Sequence, residues 1–562
     1  MSSTNRTCGY ILNPEDPETW GGAEGEKCYV GEEVLNENNV WACPHDAEGE
    51  LCIFHSPVEE KDDEEVADAF IDVLDGVSEP DDNSSEDRRL QFIGAQFGEF
   101  DLSENPPEVV AEDAEIVLSH ATVEGELNWS KGVYKISDMN LEGIECLKNS
   151  TFNLVEFGGE TSFKNAEFGQ QASFFGAEFG GETHFDWAEF GGYAIFSQSD
   201  FSRETRFLGA EFDQEAYFFR AEFSQEASFN SAEFDRRVSF NSAEFDRRVS
   251  FNSAEFDREA SFNSVEFETT VKFSNATFEE GPDFSSFESL VEAKFDGADL
   301  TDATFTGVTL HHADFEKTLL SRATIFGADL RGAALNGAVL GDVRIDEETQ
   351  FLGYSDNDSD SSPHTFSAIR SKPCCVYDPK YEENNSKTDV DKAKSVYRAL
   401  EELASRAARP RLQSQCFVRR QDLQKDGYKR DSKKANSWQE RLIASARYSR
   451  AEVARTTLLY GESPWRIVGG SIGFIIFAAL VYPLGEWLRP VEGEPITYSQ
   501  ILGGQPELLL ESLYFSTLTF TTLGMGDYQP MSWGQVIVTL NTALGAVLIA
   551  LLVFVLGRRA AR

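Results

Sequence analysis

The chain has 562 residues, enough for several domains, and carries 97 Asp and Glu against 49 Lys and Arg, a formal charge of −48. The excess is local: 83 acidic residues face 29 basic ones before Val396, and 14 face 20 from Val396 onward. Such an excess repels itself unless salt screens it, and at roughly molar ionic strength the Debye length is only about 3 Å. This points to the cytoplasm of a salt-loving microbe, and it excludes the acidic part as a long-range funnel for cations.

Met1 to Trp20 lacks a basic start followed by an apolar core, so no secretory signal is expected. Residues 1–57 hold half of the eight cysteines, Cys8, Cys28, Cys43 and Cys52, together with His45 and His55. Cys43-x-His45 and Cys52-x-x-His55 are spaced closely enough for neighbouring side chains to reach one metal. Zinc takes four Cys or His ligands in closed structural sites, and cytosolic thiols rarely persist as disulfides. A structural zinc held by four of the six is therefore expected; free thiols or a redox pair remain open, since no doubled CxxC is present. Residues 58–89 form an acidic linker, in which DDEEVADAFIDVLD, apolar at Val66, Phe70, Val73 and Leu74, reads as one short amphipathic helix in solvent with no function of its own.

Residues 90–353 are repetitive, and repeats decide architecture before local propensity does. SFNSAEFDRRV begins at Ser228 and again at Ser239, and from Phe163 to Phe278 phenylalanines recur in alternating steps of five and six. A five-residue step moves about 140° round a helix, so successive rings could not share a stripe. In a flat strand odd and even steps would send them to opposite faces. Only a chain that turns a corner between one Phe and the next can bury them all, with Ala166, Ala177 or Ala188 sharing the interior. From Phe295 the step is a strict five: Phe295, Leu300, Phe305, Leu310, Phe315, Leu320, Ile325, Leu330, Leu335, Leu340.

Units such as AKFDG, ADLTD and ADLRG resemble the pentapeptide-repeat family, which implies a right-handed quadrilateral β-helix. The resemblance covers Phe157–Ile345 well; the six-residue steps depart from it and are expected as bulged corners. His120, His184, His311 and His312 are scattered through the repeats and expected at the surface. No catalytic constellation and no Walker-type or Rossmann-type glycine pattern is present, so neither enzymatic activity nor nucleotide binding is expected.

Residues 354–395 form a polar linker containing Cys374 and Cys375, and residues 396–460 read as a connector of three helices, the last basic and close to a membrane. Its arginines lie outside the apolar runs and lack a regular three-residue spacing, so no voltage sensor is read. Residues 461–562 then read as a pore domain. Two apolar runs, 467–487 and 534–556, are long enough to cross a bilayer. Between them lie a short helix, 507–520, and the loop TTLGMGDY, 521–528. Rings of carbonyls from four copies of such a Gly-rich loop replace an ion's hydration shell. One copy makes no ring, so a homotetramer in a lipid bilayer is expected.

LYFSTLTFTTLGMGD, Leu513–Asp527, resembles the pore helix and filter of the two-transmembrane potassium channels, whose usual core is TTVGYGD. The resemblance covers roughly Trp465–Arg562 and implies K⁺ as the permeant ion, bound by the carbonyls of Thr522, Leu523, Gly524 and Met525 with Gly526 in the loop and Asp527 just outside. Leu523 stands for the usual Val, and Met525 for the usual Tyr or Phe. Met is flexible and lacks a hydroxyl, so the outer filter is expected to be held less rigidly. Gly545, in TALGAVL, is the expected gating hinge of the second span. Arg447, Arg450, Arg455 and Arg466 precede the first span and Arg558, Arg559 and Arg562 follow the second, with only Arg489 between. The positive-inside rule then places both ends in the cytoplasm of a multi-pass cell-membrane protein.

The sequence thus predicts a multidomain chain: β-helix, helical connector and two-helix pore. The reading is a potassium channel whose acidic cytoplasmic rod regulates it or docks a protein partner, with no nucleic acid involved. The alternative is a membrane-anchored scaffold whose acidic β-helix binds a basic protein by imitating DNA charge.

Overall fold

Between Gln96 and Phe278 every strand is two or three residues long, because the chain turns a corner after each inward ring. The computed structural model describes the chain except for residues 1–5, 21–27, 29, 31–34, 37, 48–49, 76–89, 105–107, 110–114, 135–137, 354–373, 382–386, 436, 524–525 and 561–562. The chain divides into two compact units, Met1–Asp389 and Val390–Arg562.

In the first unit the short strands stack as four parallel sheets of eight, eight, eight and nine strands, a quadrilateral β-helix. One coil runs through Glu156–Phe157, Glu160–Ser162, Glu167–Phe168 and Ala172–Ser173 before Glu178–Phe179 returns to the first face. Phe157 pairs with Phe179 and Phe168 with Phe190, so each coil uses two five-residue and two six-residue steps. Later bridges, Lys294 with Asp314 and Thr304 with Thr324, mark tighter coils of four five-residue steps.

The two kinds of step have different corners. Left-handed residues recur at Leu154, Asn165, Gly176, Trp187 and Gln198, and so on to Asn275, each inside a five-residue step. From Phe157 to Phe278 the six-residue steps contain none. A left-handed residue reverses the chain sharply at a steric cost, and the sixth residue lets the chain turn without it. The wider corners are not the expected bulges, since each pairs in register with its copy on the next coil, with no two-against-one mismatch.

Inside, rings stack from coil to coil, Phe163 on Phe185 at 4.9 Å and Phe174 on Phe196 at 4.9 Å, and meet their neighbours within a coil edge-on, Phe163 to Phe174 at 5.4 Å and 79°. Stacked and T-shaped pairs both suit the ring quadrupole. Ala166, Ala177 and Ala188 are fully buried beside them.

Outside, the register aligns Glu178, Asp200, Glu222 and Glu244 on one face, and Glu167, Glu189, Glu211 and Glu233 two faces away. Partial burial, and after it the neighbouring carboxylates, hold Glu189, Glu211, Glu222 and Glu233 above their ordinary value. Groups whose folded value is raised bind protons more tightly when folded, so these stabilise the fold as pH falls toward the raised values. The gain ends once pH drops below the unfolded value of about 4.3. Salt screens the same repulsion. The β-helix unfolding transition, followed by circular dichroism, is therefore expected to move to higher temperature with added KCl, and again on acidification from neutral to about pH 5. A transition indifferent to both would show that the ladders exert no net repulsion.

Both regions flanking the repeats carry packed segments that the repeats do not announce. Helix α1, Asp63–Asp75, is not solvated: Val66, Phe70 and Leu74 are buried, with Phe70 4.6 Å from Phe92, 5.2 Å from Phe100 and 5.7 Å from Trp129. It covers the first coils, as solenoids need at their ends. Within the stretch read as a polar linker, Cys374–Tyr377 and Tyr381 are buried, Cys374 bridges Gly353, and Tyr377 donates to Glu316 at 2.7 Å. His184 corrects the surface expectation: it is buried, 3.4 Å from Glu160, and shares Asp186 with Arg206.

The second unit is helical. α2 (Val390–Arg406), α3 (Pro410–Lys434) and α4 (Trp438–Leu458) pack in sequence, and the helical part begins at Val390 rather than Val396. α5 (Pro464–Val481) runs on as a 3₁₀ turn, Tyr482–Gly485; the short α6 (Tyr498–Leu502) and α7 (Glu507–Phe520) follow, then α8 (Trp533–Ala560). Pro464–Gly485 and Trp533–Gly557 are apolar and long enough to cross a bilayer. They turn Ile472, Phe477, Leu484, Leu540, Val553 and Phe554 outward.

Candidate functional site

α7 lies against both long helices and is fastened to each by polar bonds. Ser516 Oγ donates to the Ile475 carbonyl of α5 at 2.8 Å. From α8 the fully buried Asn541 donates through Nδ2 to Thr519 Oγ1 at 2.6 Å and to the Ser516 carbonyl at 3.1 Å. Phe515 is buried between Tyr482 at 5.2 Å and Tyr528 at 5.8 Å. Tyr514, by contrast, is half-exposed.

Gly545 of α8 packs against the end of α7: a Cβ there would land on the carbonyl oxygen of Phe520, the last residue of α7. The absent side chain thus has a packing reason, whatever flexibility it also confers.

α7 closes with Thr522 in the left-handed region, φ +59, Leu523 N bonded to the Leu518 carbonyl at 3.1 Å and Thr522 N to that of Thr519 at 3.3 Å. This is a Schellman ending with Thr where Gly is usual. The helix therefore delivers its C-terminal end, which carries partial negative charge, to the start of the TTLGMGDY loop. Of the six expected filter residues, Thr522, Leu523, Gly526 and Asp527 are described, while Gly524 and Met525 lie outside the described residues. Leu523 is exposed, and a Cβ on Gly526 would meet open space.

The far side of the loop is clipped to the chain that follows α5. Leu488–Pro490 pairs antiparallel with Tyr528–Pro530, Val491 N donates to the Asp527 carbonyl at 3.0 Å, and Met531 N to that of Trp487 at 2.8 Å. This clip is too short to show a period in the sequence and was not expected from it. Asn541 was not expected either, although an amide within an apolar run is a visible signal.

A second constellation lies in the first unit. Cys8, Cys43, Cys52 and His55 are buried, with one donor atom from each within 4.8 Å of all the others. Cys43 Sγ is 3.7 Å from Cys52 Sγ, and His55 Nδ1 is 3.2 Å from Cys52 Sγ and 3.8 Å from Cys8 Sγ. The other two expected ligands are elsewhere. His45 Nε2 is 3.1 Å from the Gln91 carbonyl, with its ring stacked on Phe92 at 4.9 Å. Cys28 is only partly buried and outside the group.

With this geometry in view, residues 471–562 match a family model described as ion channel, and residues 289–322 and 305–342 match pentapeptide repeats, eight copies in all. The chain is thus similar to an ion-channel domain over residues 471–562 and to pentapeptide repeats over residues 289–342. No curated protein matches it. Among solved structures it is similar to a pentapeptide repeat protein from the cyanobacterium Cyanothece 51142, at 20% identity over 20% of this chain and 63% of that one, with a TM-score of 0.11. This chain thus spans less than two thirds of that protein. It is also similar to HetL, a pentapeptide repeat protein involved in heterocyst differentiation regulation from Nostoc sp. strain PCC 7120, at 20% identity over 39% and 89% with a TM-score of 0.12. A third is QnrB1, a plasmid-mediated fluoroquinolone resistance protein, at 19% identity over 36% and 94% with a TM-score of 0.17.

Proposed function

We propose that the protein is a tetrameric K⁺ channel of the cell membrane, with both ends cytoplasmic and the β-helix as a regulatory or docking part for a cytoplasmic protein partner. One observation carries the reading: α7 is held by hydrogen bonds to two bilayer-length helices and ends at the Gly-rich loop. An anchor needs neither a re-entrant helix nor a clip on its loop. The carbonyls of Thr522, Leu523, Gly524 and Met525 from four copies replace the ion's water, and the glycines permit the backbone angles this requires. The partial negative charge at the C-terminal ends of four α7 helices favours a cation on the axis.

Hydrogen bonds to the Asp527 and Trp487 carbonyls hold the far end of the loop to the chain that follows α5. Purified protein in planar bilayers is expected to pass current whose reversal potential follows the K⁺ gradient when K⁺ and Na⁺ are exchanged. Gly524→Ala should pass none. Reversal that follows Na⁺ equally would overturn the K⁺ assignment, and a silent wild type in a correctly assembled tetramer would overturn conduction itself.

A further inference from the structure

We propose that Cys8, Cys43, Cys52 and His55 bind one zinc ion in a closed site that fastens the N-terminal segment onto the first coil of the β-helix. The proposal is independent of conduction. Zinc bound at about 2.3 Å to sulfur and about 2.0 Å to nitrogen sets donors about 3.8 Å apart for a sulfur pair and about 3.5 Å for sulfur and nitrogen in a tetrahedron. Three of the separations, 3.7, 3.2 and 3.8 Å, fall around those edges, and all four donors lie within 4.8 Å of one another. A disulfide would hold its sulfurs near 2.0 Å, so Cys43 and Cys52 are placed as co-ligands and not as a bridge. Three thiolates and an imidazole are soft donors, which select zinc over magnesium or calcium.

The surroundings orient the donors. His55 Nε2 lies 2.9 Å from the Ile93 carbonyl. Donating there, it leaves the Nδ1 lone pair facing the sulfurs, the usual way a second partner sets the tautomer of a metal-bound histidine. Ile93 belongs to the first coil, whose neighbours Phe92 and Gly94 donate to the Val117 and Ser119 carbonyls of the next. One ligand is thereby tied directly to the solenoid. The Cys52 amide points at Cys8 Sγ at 3.2 Å.

Among the described residues the segment has little regular structure of its own. Cys8 lies between two ribbons of two residues per strand, Arg6–Thr7 on Asp46–Ala47 and Ile11–Leu12 on Trp41–Ala42. Ribbons this short are not stable alone, and in so small a segment a metal supplies folding free energy that a core cannot. Once fastened, the segment occupies the start of the solenoid: Gln96 N donates to the Phe54 carbonyl at 2.8 Å and Trp41 Nε1 to Gln91 at 2.8 Å. An open sheet edge is covered in this way.

Elemental analysis of the full-length protein, purified under reducing conditions, is expected to find close to one zinc per chain. Cys28→Ser and His45→Asn should keep it, and Cys43→Ser and His55→Ala should lose it. Chelation of the wild type should raise hydrogen exchange in residues 6–12, 41–47 and 91–97 but not in the coils from Phe157 to Phe278, and added zinc should restore protection. Folded wild type without stoichiometric zinc would overturn the site, and that measurement does not depend on any variant folding. Full zinc in Cys43→Ser and His55→Ala, or its loss in Cys28→Ser, would overturn the choice of ligands.

Discussion

On the channel reading proposed above, Gly545→Ala is expected to abolish current while leaving the protein inserted and assembled as the wild type is. The added methyl would fall on the Phe520 carbonyl, which is backbone and cannot rotate away. Overpacking of this kind costs about 1–3 kcal/mol, and relief must come from moving the end of α7, the residue before Thr521 and Thr522. In a tetramer the error would repeat four times around one axis. A bending glycine would make the same substitution harmful for a different reason, since Ala stiffens a helix. The double variant Gly545→Ala with Ala546→Gly separates the two, because it restores a glycine to the same turn and leaves the methyl against Phe520. Continued silence in single-channel recording would assign Gly545 to packing against the pore helix. Recovered current would assign it to bending and overturn the packing account.

The legible parts of the chain are those where one local rule governs many residues. The five-and-six spacing of phenylalanine admits only a chain with corners, and four parallel sheets follow from it. The corners themselves were not legible, because whether a sixth residue makes a bulge or a wide bend depends on the facing coil. Helix α1 shows the same limit. Val66, Phe70 and Leu74 announce an amphipathic helix, but periodicity does not say what covers its apolar side, and Phe92, Phe100 and Trp129 do. The burial of His184 was not legible, because the stacking of coils that brings Glu160 to it and Arg206 to its near neighbour Asp186 skips whole repeats. For the cysteines, composition gave six candidates, and only the pairing of two ribbons far apart in sequence brings four of them together. At the pore, α7 and its loop are contiguous and could be read directly. Asn541 and the Leu488–Tyr528 clip act across the fold and could not.

Arg455→Met is expected to loosen the connector from the first membrane helix and to change open probability. Asp422 of α3 is buried, with a side chain only 4% exposed, and binds Arg455 Nε of α4 at 2.5 Å and the Tyr460 hydroxyl at 3.1 Å. Tyr460 belongs to an elbow of three left-handed residues, Leu459, Tyr460 and Gly461, that joins α4 to α5. Arg466, in the first turn of α5, reaches back to the Arg455 carbonyl at 3.0 Å. One carboxylate therefore holds both the end of α4 and the turn into the membrane helix. Burial raises Asp422, but Arg455 and Tyr460 outweigh it and leave the carboxyl below its ordinary range. A depressed folded value gives stability that is present above the unfolded value of about 3.9 and lost as pH falls through the lower one, so the lock holds throughout the neutral range. Removing Arg455 takes the ion-pair partner from a buried charge, which costs about 3–5 kcal/mol where nothing else is left and about 3 kcal/mol or less here, because the Tyr460 hydroxyl still donates to Asp422 and Arg455 is itself 28% exposed. Asp422→Asn combined with Arg455→Met removes both charges and should regain much of the lost thermal stability, as contacting residues do in a double-mutant cycle. It should not regain the wild-type open probability, because the ion pair between α3 and the end of α4 is still missing even though the amide oxygen at position 422 can accept from the Tyr460 hydroxyl. If both variants gate like the wild type while differing only in thermal stability, the connector does not pull on α5 and the lock is structural alone.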